Sequence, residues 1–271
     1  MISSLLLPLL MQSVTPYGSP IDPVLLPSKP KNEQPVEAAA PVAKTATDIR
    51  FEQCLDPANG LLAANKWQIE GGGYLARNCL GFAYAGQEDW AKAVAEFVQA
   101  AEGAQAAGDE RAANFWSQAG NAAFAGDDEQ AALKYLATAL EQDTLDGLLK
   151  GEVHLDMARV HVALNQYDEA KRQFALVHQL VPEDPLGWLL SATLARRMGD
   201  LAQAKTDIAT AARLVTTDPA IALEAGNIAY EAGDLVNAKG SWQQAVKFGP
   251  DSPAAKAATR YLAQLEDSMA E

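Results

Sequence analysis

Residues 151–184, 185–218 and 219–252 are three consecutive blocks of 34 residues that lie over one another without a gap. Ala158, Ala192 and Gly226 share one column, and Tyr167, Leu201 and Leu235 share another. Ala170, Ala204 and Ala238 follow, then Phe174, Ile208 and Trp242, then Val177, Ala211 and Ala245. Glu183-Asp184, Thr217-Asp218 and Pro250-Asp251 close the blocks. A fixed period of this length predicts a solenoid, in which each unit buries its apolar face only against its neighbours.

Each block reads as two amphipathic helices. In 185–218, Pro185 opens the first, at a position where its missing N–H costs nothing. Gly199-Asp200 makes the turn. The second runs from about Leu201 to Val215, with Ala204, Ile208 and Ala211 on its inner face. The small residues at Ala158, Ala192, Gly226 and at Ala170, Ala204, Ala238 mark close helix approach, where a larger side chain would overpack.

Two upstream blocks follow the pattern more loosely. In 74–107, Leu80-Gly81 and Tyr84 precede Trp90, Ala93, Phe97 and Ala100. In 113–146, Trp116 and Ala119-Gly120 precede Ala132, Leu136 and Ala139. Extra residues near Gly108-Asp109 and Asp146-Gly147 read as a lengthened second helix and a longer turn. Residues 50–73 are expected to form an N-terminal capping helix ending at Gly71-Gly72-Gly73. Residues 253–271, opening with Pro253 and more polar on one side (Lys256, Arg260, Gln264), are expected to supply the C-terminal cap and tail.

These columns resemble the tetratricopeptide repeat family, whose signature places Trp, Leu-Gly, Tyr, Ala, Phe or Tyr, Ala and Pro at fixed offsets. The resemblance covers about two-thirds of the chain and points to a bacterial member. It implies an all-α fold, a right-handed superhelical solenoid of helix-turn-helix repeats with a capping helix at each end. It also implies a non-catalytic scaffold or adaptor that holds a partner peptide or protein in its concave groove. The first helix of each repeat lines that groove. The side chains expected there are Asn114, Gln118, Asn121, Phe124, Asp156 and Arg159, then Leu189, Leu190, Arg196, Arg197, Asn227 and Tyr230. Asn can pair with an extended backbone through donor and acceptor alike. Arg159 and Arg196 would suit a carboxylate, or else pair with Asp156 or Asp200. The Lys/Asn/Asn/Lys/Arg clamp that grips a C-terminal carboxylate in some members is not evident. The alternative is a structural or oligomerising envelope component tethered by its N-terminal segment.

Net charge is −14. In residues 1–50, Lys29, Lys31, Lys44 and Arg50 cancel Asp22, Glu33, Glu37 and Asp48, so the excess belongs to the repeats. Such a domain repels phosphate backbones and anionic membranes, so nucleic acid is not an expected partner. No stretch of 18 or more residues is apolar and uncharged, so no spanning helix is expected. Membrane contact is expected only through residues 1–12, an apolar segment of export-signal length. Residues 13–49 read as a Pro-rich disordered linker, since residues 1–50 hold eight of the 14 prolines. Export would place the chain in the periplasm or envelope; the cytoplasm is the alternative. Cys54 and Cys79 would then pair across a helical hairpin; in a reducing compartment they would be two buried thiols.

Nothing points to catalysis, metal or small-molecule cofactor. His154 and His161 are seven apart, not at the i, i+4 spacing of helical zinc ligands, and His161 falls in the packing column of Tyr84. The pairs Glu88-Asp89, Asp127-Asp128 and Asp168-Glu169 fall at turns, where they favour the start of the next helix. Gly71-Gly72-Gly73 lacks the Lys-Ser/Thr of a phosphate loop and reads as a helix terminator.

Overall fold

The structure, a computed structural model, describes residues 45–270, with side chains to residue 267; the apolar segment 1–12 and linker residues 13–44 lie outside the described residues. Among the described residues every regular element is helical. The helices are α1 (Ala46–Cys54), α2 (Gly60–Ile69), α3 (Gly73–Ala85), α4 (Trp90–Ala106), α5 (Ala112–Ala125), α6 (Glu129–Glu141) and α7 (Gly147–Ala163). They continue as α8 (Tyr167–Leu180), α9 (Pro185–Arg197), α10 (Leu201–Leu214), α11 (Pro219–Glu231), α12 (Leu235–Phe248) and α13 (Pro253–Ala270). The chain forms two compact units, residues 45–164 with α1–α7 and residues 165–270 with α8–α13. The division falls at the turn inside block 151–184.

The period has a direct structural cause. The fifteenth residue of every block has a left-handed backbone: Glu88, Asp127, Asn165, Gly199 and Gly233, with φ between 57° and 79°. That conformation ends the first helix of each hairpin and costs glycine least. The next residue starts the second helix. Asp89, Asp128, Asp200 and Asp234 each accept a hydrogen bond from the main-chain N–H three residues on. Asp146, Asp184 and Asp218 cap α7, α9 and α11 in the same way. Each such cap is worth about 1 kcal/mol over alanine. Part of the domain's acidity is therefore helix-starting hardware. Asp168 and Glu169 differ from the other acidic pairs, because Gln166 is the N-cap and both carboxylates lie in the first turn of α8.

A second register fixes the hairpin interior. Gly81, Gly120 and Gly226 occupy the eighth position of their blocks. A Cβ there would run into Phe97, Leu136 and Trp242, the twenty-fourth residues of the same blocks. In 185–218 the pair is Ala192 and Ile208, which share a buried cluster with Leu189, Ala204 and Ala211. Small opposite large is thus the packing rule within a hairpin, and the large residue fills its own hairpin.

The N-terminal cap differs from the expected single helix over 50–73. There are two helices, and the first begins at Ala46, inside the stretch assigned to the linker. Thr45 and Asp48 form a reciprocal capping box that starts it. Asp56 then accepts from the N–H groups of Ala58 and Asn59, which turns the chain into α2. Cys54 at the end of α1 is joined to Cys79 in α3 by a disulfide, with Cα atoms 5.6 Å apart and both side chains buried. Of the two expected insertions, the first lengthens a second helix, α4, to 17 residues. The second instead extends a first helix: Asp146 caps at Leu149, so α7 starts at Gly147 rather than at 151. At the other end α13 lies on α11 and α12, burying Ala258 and Leu265 with Trp242. No helix among the described residues is long and apolar enough to cross a membrane.

Candidate functional site

In residues 45–164, α5 carries Asn114, Ser117, Gln118, Asn121 and Phe124 at spacings that keep them on one side of the helix. All five are half-buried. Gln118 accepts a hydrogen bond from the amide of Asn78 in α3, whose side chain is almost fully buried. Asn121 hydrogen-bonds to the carboxylate of Asp156 in α7. Arg159, one turn along α7, holds the same carboxylate at 3.1 Å and places its guanidinium 5.8 Å from the centre of the Phe124 ring. Burial pushes the Asp156 carboxyl up, against the pull of Arg159 and Asn121. Gln118, Asn121, Phe124 and Arg159 are therefore brought together, with the Asp156 carboxylate matched by the Arg159 guanidinium. Asn114 and Ser117 make no side-chain hydrogen bond among the described residues, which leaves their donors and acceptors for a ligand.

The expected residues of 165–270 fare differently. Leu189 is 5% exposed and belongs to the core between α9, α10 and α11, so it is not a groove residue. Its place on α9, four residues before Thr193 and beside Ile208, turns it inward. Arg196 does not face an open carboxylate site. Its Nε lies 2.6 Å from Glu224 of α11, it also pairs with Glu231, and its side chain is only 12% exposed. Burial raises the Glu224 carboxyl, against the opposing pull of Arg196. Asn227 is likewise engaged: its amide donates to Glu224 at 3.2 Å, and its oxygen accepts from the Trp242 indole at 3.1 Å. Tyr230 lies against Trp242 with ring centres 5.6 Å apart. Arg197 is exposed and makes no ion pair among the described residues. Arg196, Asn227 and Tyr230 thus form an internal knot around Glu224 and Trp242. Glu224 was missed from sequence although a carboxylate between Leu223 and Ala225 on an apolar helix calls for a buried partner.

Among the described residues no three His, Cys, Asp or Glu side chains converge where a metal ion could sit. His178 has a packing role. It stacks on Trp188 with ring centres 3.6 Å apart and planes 8° from parallel. Its Nε2 is buried without a hydrogen-bond partner among the described residues. Burial holds the imidazole below its ordinary value, against the pull of Asp207 and Asp184 and a hydrogen bond with the Gly187 main chain. A histidine with a lowered folded pKa contributes stability that is fully present above the unfolded value of about 6.5 and lost as pH falls through it. Melting of residues 165–270 should therefore shift to lower temperature between about pH 7 and pH 5. His178→Gln should flatten that part of the profile, measured by circular dichroism; an unchanged profile would refute the assignment.

The succession of paired helices is what this chain shares with solved structures. The fold is that of the tetratricopeptide-repeat proteins. The structure of pilF from Pseudomonas aeruginosa is similar over 81% of this chain and 97% of that chain, with a TM-score of 0.63 at 18% identity. PilW, a widely conserved type IV pilus biogenesis factor, is similar over 79% of this chain and 99% of its own, with a TM-score of 0.66 at 16% identity. YrrB, a tetratricopeptide-repeat protein with an unusual peptide-binding site, gives 0.52 at 17% identity over 72% of this chain and 96% of its own. At these identities the likeness is one of tetratricopeptide-repeat fold. No protein-family model and no curated protein matches the chain in sequence.

Proposed function

We propose that this tetratricopeptide-repeat chain is a non-catalytic interaction module that binds a partner peptide or protein on the α5–α7 face of residues 45–164. The observation that carries this reading is the row of uncharged polar side chains on α5. Asn114 and Ser117 offer donors and acceptors at the spacing of helix turns, Gln118 and Asn121 continue the row with one internal hydrogen bond each, and Phe124 ends it with an aromatic surface. Arg159 and Asp156 neutralise each other beside it. A surface of this kind suits a neutral segment of main chain and apolar side chains, and does not suit a terminal carboxylate or a phosphate. YrrB, which shares the fold, has a peptide-binding site. The Cys54–Cys79 disulfide favours an oxidising compartment, the periplasm or envelope.

The test adds bulk and charge where no internal bond is lost. The tagged full chain with Asn114→Arg and Ser117→Arg should lose the partner that the unaltered chain recovers from its own cells, by at least about tenfold. Melting temperature and helix content should stay the same. Equal recovery by both chains would remove the face from the account.

A further inference from the structure

The outer faces of α1 and α2 form an open groove of about 580 Å³. Its floor is apolar: Ala46 and Ile49 from α1, Leu62 and Ala63 from α2. Its rim is polar, with Arg50 bonded to Glu70 at 2.8 Å across one end. Leu62 is 72% exposed and Ile49 46% exposed, so two large aliphatic side chains line one concave surface with no cover among the described residues. Isolated exposed leucines need no explanation; a pair lining a groove of ligand size does. The described chain begins at Thr45, beside Ala46, so the 44 residues before it enter at the rim of this groove.

We propose that the groove is the docking site of this chain's own residues 21–27, Ile-Asp-Pro-Val-Leu-Leu-Pro, which lay Val24, Leu25 and Leu26 on its floor. The proposal is independent of the α5–α7 reading, since it uses neither its residues nor its partner. Four features select this occupant. First, the aliphatic cluster Ile21, Val24, Leu25 and Leu26 lies beyond residues 1–12 and so remains after removal of an export signal. Second, the chain from Pro27 to Ala46 reaches about 60 Å when extended, several times the roughly 15 Å length of α1 or α2. Third, Pro23 and Pro27 have fixed φ angles, which lowers the entropy lost when the segment is ordered. Fourth, the tether holds the segment at an effective concentration in the millimolar range, above that of a second molecule. The rim is balanced, with Arg50 and Lys66 against Asp56 and Glu70, so it repels neither Asp22 nor Lys29.

Hydrogen exchange on the full disulfide-bonded chain tests this. The amides of Val24, Leu25 and Leu26 should exchange at least about tenfold slower than the same sequence in a free peptide. Leu62→Asp, at a site exposed enough to leave folding intact, should return them to the free-peptide rate. Leu25→Asp should do the same from the other side and also speed exchange in α1. A synthetic peptide of residues 19–31, added in excess to the Leu25→Asp chain, should restore the protection of α1. Free-peptide rates at residues 24–26 in the unaltered chain would overturn the proposal. So would protection that grows with protein concentration, which would assign the groove to a second copy, or protection that survives Leu62→Asp.

Discussion

Replacing Glu224 with alanine should destabilise residues 165–270 by about 3–5 kcal/mol, because it leaves the Arg196 guanidinium buried without its main partner. Arg196 and Glu224 have side chains only 12% and 8% exposed, and their closest atoms are 2.6 Å apart. The same substitution removes the acceptor of the Asn227 amide and so loosens the group that holds the Trp242 indole. Glu231, the other partner of Arg196, is 41% exposed and well solvated, so it compensates little. Thermal melting should register the change as a drop of more than about 10 °C. Arg196→Met combined with Glu224→Leu should recover most of the loss, since two apolar groups of similar volume need no partners. A coupling near zero in that double-mutant cycle would show that the pair is a surface contact.

Replacing Cys54 and Cys79 together with serine should cost about 3.5 kcal/mol, the chain-entropy value for closing a loop of 25 residues. The loss should be local. Cys54 is the sole buried side chain of α1, whose other attachments include the edge of Phe51 on Trp67, the Arg50 guanidinium over the same ring and the Arg50–Glu70 bond. Hydrogen exchange should therefore rise throughout α1 in the serine variant while α3 to α7 keep their protection. Mass spectrometry of chain isolated under thiol-blocking conditions should give a mass lower by two hydrogens than the reduced form. Two alkylatable thiols in that sample would contradict both the bond and the exported setting.

The hairpin architecture was legible because it is periodic. Gly226 opposite Trp242 and Gly81 opposite Phe97 recur at one offset, and the turn residues Gly199 and Gly233 are glycines at a left-handed position. The same position is harder to read where Glu88 and Asp127 occupy it, since neither residue declares a left-handed backbone. The start of α1 was missed for a related reason. Its signal is the short Thr45–Asp48 capping box, placed just after a proline-rich stretch that argues against helix. The site was less legible than the fold. A helix position facing a neighbour can hold a ligand-reading side chain or a buried internal pair, and the residue type is the same in both cases. Arg159 and Arg196 illustrate this. Each was expected either to offer a cation to a partner or to pair with Asp156 or Asp200; Arg159 does pair with Asp156 three residues away, whereas Arg196 pairs with Glu224 from the next hairpin. A carboxylate 28 residues distant is not visible in the spacing of one helix. Leu189 was not legible as a core residue because a leucine at the border of an apolar stripe can face either way; here it joins the buried cluster of α9, α10 and α11.

The polar row of α5 is the surface that we propose meets the partner. A photoreactive side chain placed at Ser117 of α5, in the full chain in its own cells, tests it most directly, with Gln99 on the exposed side of α4 as the control position. The account predicts a discrete cross-linked product from position 117 that is absent from position 99 and is lost when Asn114 is changed to arginine. Cross-linking from position 99 with none from 117, or a product at 117 that is indifferent to Asn114→Arg, would contradict it.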